Sequence, residues 1–132
     1  MPRFQKLIKV VACLFLASCS TSRQVNHASN GPRWQTYQTG VASWYGSARS
    51  RERLACGGRY CATQYAAAHR KLPFGSQVRV TNLNNGRSCV VLINDRGPFV
   101  RGRVIDVTWI AARDLGLLTS GVAKVKIELP EG

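Results

Sequence analysis

The 132-residue sequence predicts a small closed β-barrel that carries one short helix. Three observations predict it. Five or six short runs of strand character recur over roughly ninety residues. Breaks bearing Gly, Asn and Pro separate them, and one run alone, Ile110 to Leu115, reads as a helix. The length suits one domain and a tail, and closure removes the edges that short strands would expose.

Each element follows from its residues. Val41-Ala42-Ser43-Trp44-Tyr45 reads as a strand closed by Gly46, and the polar, basic stretch Ser47 to Arg53 as a loop. Gln77 to Leu83 alternates with period two, as a half-buried strand does, and Asn84-Asn85-Gly86 is a tight hairpin signal. Arg87 to Asn94 carries the unbroken apolar run Cys89-Val90-Val91-Leu92-Ile93, which predicts a strand buried more completely than an edge strand. Asp95-Arg96-Gly97-Pro98 then breaks into a loop. Arg103 to Val107 is a further short strand, and Gly116 stops the helix. Val122, Val125, Ile127 and Leu129 mark a final strand with lysines interleaved. A core of this size is modest, so a disulfide would help.

Charge narrows the function. Nineteen Lys+Arg against six Asp+Glu give a formal charge of +13, which calls for an anionic partner: nucleic acid, a membrane surface, or an acidic polymer such as a cell wall. The N-terminus chooses among these. Arg3, Lys6 and Lys9 precede or interrupt an apolar stretch from Leu7 to Ala17, too short to span a bilayer, so residues 1–18 read as a secretory signal peptide. Leu16-Ala17-Ser18-Cys19 has the pattern of a bacterial lipobox, with Cys19 the lipid-modified first residue of the mature chain; an ordinary signal peptide with an incidental Cys is the alternative. Ser20 is not the Asp of an inner-membrane retention signal, which favours the outer membrane facing the periplasm. The mature charge becomes +10, and a secreted chain meets no chromosome, so nucleic acid is excluded. Residues 19–39 are polar and read as a flexible tether, with the barrel domain over 40–130.

Within that domain Gly40 to Gly46, Ala66 to Gly75, Val78 to Leu83, Asn85 to Ser88, Ile93 to Phe99, Arg103 to Val107 and Ala111 to Gly116 resemble, in order, the rare lipoprotein A family. The resemblance covers Gly40 to Leu129. It implies a double-psi β-barrel, related in fold to the expansins, in a bacterial lipoprotein that cleaves peptidoglycan as an endolytic lytic transglycosylase, on strands stripped of stem peptides. Many members end in a sporulation-related repeat (SPOR) domain, which this chain is expected to lack. The expected partners are glycan strands and, through the lipid, the membrane, with divisome or amidase association as a further expectation. A non-catalytic, expansin-like glycan binder is the main alternative, and a structural or inhibitor-like partner of another wall enzyme the third.

Cleaving a β-1,4 glycosidic bond needs a general acid and stabilisation of an oxocarbenium-like transition state. In a lytic transglycosylase one carboxyl suffices as acid and then base, because the C6 hydroxyl of the sugar closes an anhydro ring. Of six carboxylates, Glu128 and Glu131 read as solvated, Asp114 as a surface partner of Arg113, and Glu52 as a charge balance among Arg49, Arg51 and Arg53. Asp95 and Asp106 remain. Asp95 is either a rim acid or a turn-stabilising residue, and Asp106 either an acid in the cleft or a buried, hydrogen-bonded Asp. His69, the one histidine of the domain, either serves the structure or orients a carboxyl. The resemblance assigns Asp95 and His69 to the active site and expects a third group, a Glu, where this sequence has Gly58.

The arginines flanking the loops, Arg96 among them, read either as solvated charge or as a groove for the lactyl carboxylates of muramic acid. Trp44, Tyr45, Tyr60 and Phe99 are candidate sugar-stacking faces, each equally a candidate for the core. Cys56, Cys61 and Cys89 allow one internal disulfide, Cys56–Cys61 being the pair nearest in sequence. No zinc spacing is present, and no cofactor is expected.

Overall fold

The computed structural model describes residues 31–47 and 49–132. The signal peptide, Cys19 and the tether up to residue 30 lie outside the described residues. Among the described residues six strands close into a barrel in the order β1-β5-β2-β4-β3-β6. They are β1 (Trp34–Trp44), β2 (Ala66–Ala68), β3 (Gln77–Asn82), β4 (Ser88–Asp95), β5 (Arg103–Val107) and β6 (Val122–Pro130), with helix α1 (Trp109–Leu115) between β5 and β6. β1 with β5 and β2 with β4 pair in parallel, and the other four pairings are antiparallel. This is the expected double-psi β-barrel.

The core lies inside the barrel, and strict alternation fills it. Val78 and Val80 of β3, Val91 and Ile93 of β4, Ile105 and Val107 of β5, and Ala123, Val125 and Ile127 of β6 all point inward. Leu115 and Leu117 close one end, where the Gly116 N–H caps α1 on the Ala112 and Arg113 carbonyls. The Asn82 side chain ties the β3–β4 turn to that end, donating from Nδ2 to the Leu115 carbonyl at 2.8 Å.

Three expectations are corrected. Trp34 to Thr39, read as tether, forms the first half of β1 and pairs with β6 from Trp34↔Pro130 onward, and Gly31–Gly132 forms a single compact unit. Polar side chains here face outward while the backbone is satisfied by the ladder. The apolar run of β4 is buried on one face only: Val91 and Ile93 enter the core, whereas Val90 is exposed, because a barrel buries only its inner face. Glu128 is 5% exposed, not solvated, and pairs with Arg79 Nε at 2.7 Å and Lys126 Nζ at 3.1 Å. Cys56, Cys61 and Cys89 are free thiols in this structure.

Candidate active site

A single row of residues crosses four neighbouring strands. Asp95 of β4 lies opposite Ala68 of β2, Ala68 opposite Asp106 of β5, and Asp106 opposite Ser43 of β1. Paired residues project from the same face, and Ala42, Ala67, Ile105 and Val107 occupy the inner one, so the row lies on the outside of the barrel. Simple alternation from Ile93 would turn Asp95 inward. An irregularity in the β2–β4 register, where Ala67 faces Ile93 but Ala68 faces Asp95, skips Asn94 and re-aims Asp95 outward. Two interstrand spacings put the Asp95 and Asp106 backbones roughly 9–10 Å apart.

Each acid is held. Asp95 Oδ1 accepts from the Ala55 N–H at 2.8 Å and from the Arg96 N–H at 2.9 Å. Ala55 belongs to a small hairpin in which Arg53 faces Arg59 and the Tyr60 N–H donates to the Glu52 carbonyl, and whose tip bonds Asn94 through the Cys56 N–H. Gly58 lies in this hairpin, so the segment that would carry the third acid does fold over Asp95. Asp106 Oδ1 accepts from Ser43 Oγ. Asp95 is thus bonded as a turn-stabilising residue is, Asp106 is bonded by Ser43, and both lie on the outer face of the barrel.

Tyr45 leaves β1 beside this row. Its hydroxyl is buried with no hydrogen bond that meets full geometric criteria, and the Asp95 carboxylate is the acceptor beside it. Burial, then the charge of Asp95, then Tyr60 and Asp106, push its phenol well above the ordinary range. The neighbouring Gly46 has φ +73°, and a Cβ there would lie 2.5 Å from the Tyr60 ring, so only glycine lets the chain turn under that ring. Tyr60 Oη donates to the Tyr45 carbonyl at 2.9 Å and accepts from the Trp109 N–H at 3.0 Å, which fixes Tyr45 from behind.

Other candidates go elsewhere. Tyr60 is buried with Leu54 and Ala62, so it is a wall of the site and offers no sugar-stacking face. Phe99 is 81% exposed, on the loop that follows Asp95. Arg96 Nη1 donates to the His69 carbonyl at 3.2 Å and the Leu72 carbonyl at 2.9 Å, with its guanidinium over the Phe74 ring, so it clamps the backbone. His69 lies next to Asp95 only through the main chain, its N–H donating to the Asp95 carbonyl at 3.2 Å. The His69 ring is fully used: Nδ1 accepts from the Lys71 and Leu72 N–H groups, both at 3.1 Å, and Nε2 meets Gln38 Oε1 at 3.1 Å. Burial first, then Arg96, Arg70 and Lys71, hold its pKa below the ordinary value and keep it neutral. Ser43 was missed as a site residue, although it stands two positions before Tyr45.

Two surface clefts adjoin the barrel. One of about 370 Å³ is lined by Tyr37, Gln38, His69, Arg70, Lys71, Arg103 and Val104. The other, of about 430 Å³, runs from Arg49 and Arg51 past Tyr60 to Thr63. Asp95 and Asp106 line neither. Cys61, in the second cleft, has its pKa lowered by hydrogen bonds to Thr63, whereas burial pushes the Cys89 thiol up to about 12. Among the described residues no group of three or more His, Cys, Asp or Glu could hold a metal ion.

Comparison with known proteins identifies the family. A probable endolytic peptidoglycan transglycosylase RlpA of Synechocystis is 53% identical over 90 residues, 68% of this chain and 28% of that one. The endolytic peptidoglycan transglycosylases RlpA of Neisseria meningitidis serogroup A and Pseudomonas aeruginosa are 50% and 49% identical, over 69% and 67% of this chain and 38% and 26% of theirs. The chain thus spans well under half the length of these relatives. The Streptomyces papain inhibitor shares the fold alone, with a TM-score of 0.56 and 24% identity over 75% of this chain and 96% of that one. Residues 37–127 match the family model described as lytic transglycolase. The chain belongs to the lytic transglycolase family.

Proposed function

We propose that this domain cleaves the glycan strands of peptidoglycan by lytic transglycosylation, leaving 1,6-anhydromuramic acid ends. The observation that carries this reading is the outward row of Asp95, Ala68, Asp106 and Ser43 with the Tyr45 hydroxyl against it. Asp95 is the acid and base. Two N–H groups fix its Oδ1, leaving Oδ2 to protonate the bridging oxygen as the bond from C1 to that oxygen breaks. The C6 hydroxyl then bonds to C1 and returns its proton to Asp95, so no water is consumed. Asp106, held by Ser43, supplies negative charge beside the oxocarbenium-like centre. Phe99 offers a stacking face, on a loop that the Arg70 guanidinium pins through the Pro98, Val100 and Arg103 carbonyls. His69 is a positioning residue that holds the turn to Leu72 and the Gln38 amide.

Cys19 would carry the lipid that anchors the chain in the outer membrane facing the periplasm, a reading supported by Leu16-Ala17-Ser18-Cys19 and by Ser20. A preference for peptide-free strands makes an amidase the class of enzyme that supplies the substrate, and the divisome the setting where both are used. A second reading, a glycan binder that does not cut, is favoured by one observation: the hairpin over Asp95 presents Gly58 and no carboxylate at that position. Mass spectrometry of digested peptide-free strands separates the readings. Anhydro ends are expected; intact strands would establish the binder.

A further inference from the structure

The outer face of β5 continues from Asp106 into the first cleft. Val104 and Asp106 lie two residues apart on the outer face, with Ile105 between them in the core, so the cleft begins about 6–7 Å from Asp106. That is a step of the order of one sugar residue. Gly40 makes the approach close. A Cβ there would come within 2.4 Å of Val104 Cγ1, so glycine keeps the floor low between β1 and β5.

The lining of this cleft is cationic and carries no acid. Arg70 is fixed by three backbone carbonyls, whereas the side chains of Lys71 and Arg103 make no ion pair or hydrogen bond among the described residues. Gln38 adds a directed donor. Because His69 Nδ1 accepts two N–H groups, its proton is on Nε2, and Gln38 therefore turns its oxygen to His69 and keeps both amide N–H bonds for a ligand.

We infer that this cleft is a carboxylate subsite, in which Lys71 and Arg103 pair with the free lactyl carboxylate of a muramic acid residue while Gln38 and Tyr37 bond its polar groups. The inference rests on the glycan reading above and deepens it. On a strand that still carries stem peptides the same carboxyl is a neutral amide. A cationic cleft desolvates an amide without pairing it, so the cleft selects peptide-free strands by charge.

The test compares peptide-free glycan strands with the same strands after chemical reduction of their lactyl carboxyls to alcohols. The wild-type protein should bind the reduced strands on the order of tenfold or more weakly, the range of a lost charge-assisted pair. Lys71→Gln with Arg103→Gln should erase that preference, binding both strands as the wild type binds reduced ones. Arg49→Gln with Arg51→Gln removes the same charge at the second cleft and should keep the preference. Melting temperatures of both variants should match the wild type, since neither pair of side chains is bonded. A wild-type protein that binds both strands equally would overturn the subsite. So would an Arg49/Arg51 variant that loses the preference as completely as the Lys71/Arg103 one. Anhydro products without a carboxylate preference would refute the subsite and keep the catalytic reading. A carboxylate preference without anhydro products would do the reverse.

Discussion

Tyr45→Phe separates stability from function at one atom. The phenol oxygen is buried with no well-aligned hydrogen bond, beside the Asp95 carboxylate. A hydroxyl buried in this way costs about 1–3 kcal/mol relative to one that is bonded or solvated. Its removal returns part of that penalty and loses at most a weak, poorly aligned hydrogen bond to Asp95. The ring is retained, so its packing 5.2 Å from Tyr60 and the Tyr60 bond to the Tyr45 carbonyl survive. The expected net gain is about 1 kcal/mol, a rise of about 4–8 °C in melting temperature for a domain of this size. Activity should move the other way. A positioned hydroxyl beside the reacting acid is worth on the order of 10- to 100-fold, somewhat less than an oxyanion donor. Thermal denaturation by circular dichroism and initial rates of anhydro-product release measure the two effects on one preparation. A fall of several degrees would refute the reasoning, because it would mean that the hydroxyl has a structural partner. Unchanged turnover would remove Tyr45 from the site.

Three further outcomes are expected. Asp95→Asn should lower anhydro-product formation about 10²- to 10⁴-fold while retaining the Ala55 and Arg96 bonds through its amide oxygen, so the melting temperature should hold; activity that survives would move the acid to Asp106. Gly58→Glu should raise the rate about tenfold or more, because a Cβ there meets only Cys56 Sγ at 3.6 Å and the hairpin already folds over Asp95; an unchanged rate would show that Asp95 works without a second acid. Glu128→Gln should cost about 1–2 kcal/mol at pH 7, discounted because Arg79 and Lys126 are a third exposed. Arg79 and then Lys126 hold the Glu128 pKa below its ordinary 4.5, so this stability is complete above that value and is lost as pH falls through the lower folded one. Urea midpoints from pH 7 down to pH 3 should show wild type and variant converging.

What could be read from the chain alone was local. The alternation of Gln77 to Leu83, the Asn84-Asn85-Gly86 turn and the helix before Gly116 each express a rule that operates within a few residues, and each stands in the structure; the break expected from Asp95 begins one residue later, at Arg96, with Asp95 still in β4. Motif order carried the family and, through it, the double-psi connectivity. Strand pairing is a relation between distant segments, and there the structure decided. Ala66–Ala68 has no strand signal of its own, since alanine fits a strand only when both neighbours are supplied, yet β2 is the strip that joins Asp95 to Asp106. The register irregularity that turns Asp95 outward belongs to the pairing of β2 with β4, and neither strand carries it alone. Arg70 and Arg96 are charges in the sequence but backbone clamps in the fold, and Glu128 is buried only because Arg79 and Lys126 reach it across β3 and β6. Local propensity specifies which elements form; which faces meet depends on closure of the barrel, and the candidate site exists only where those faces meet.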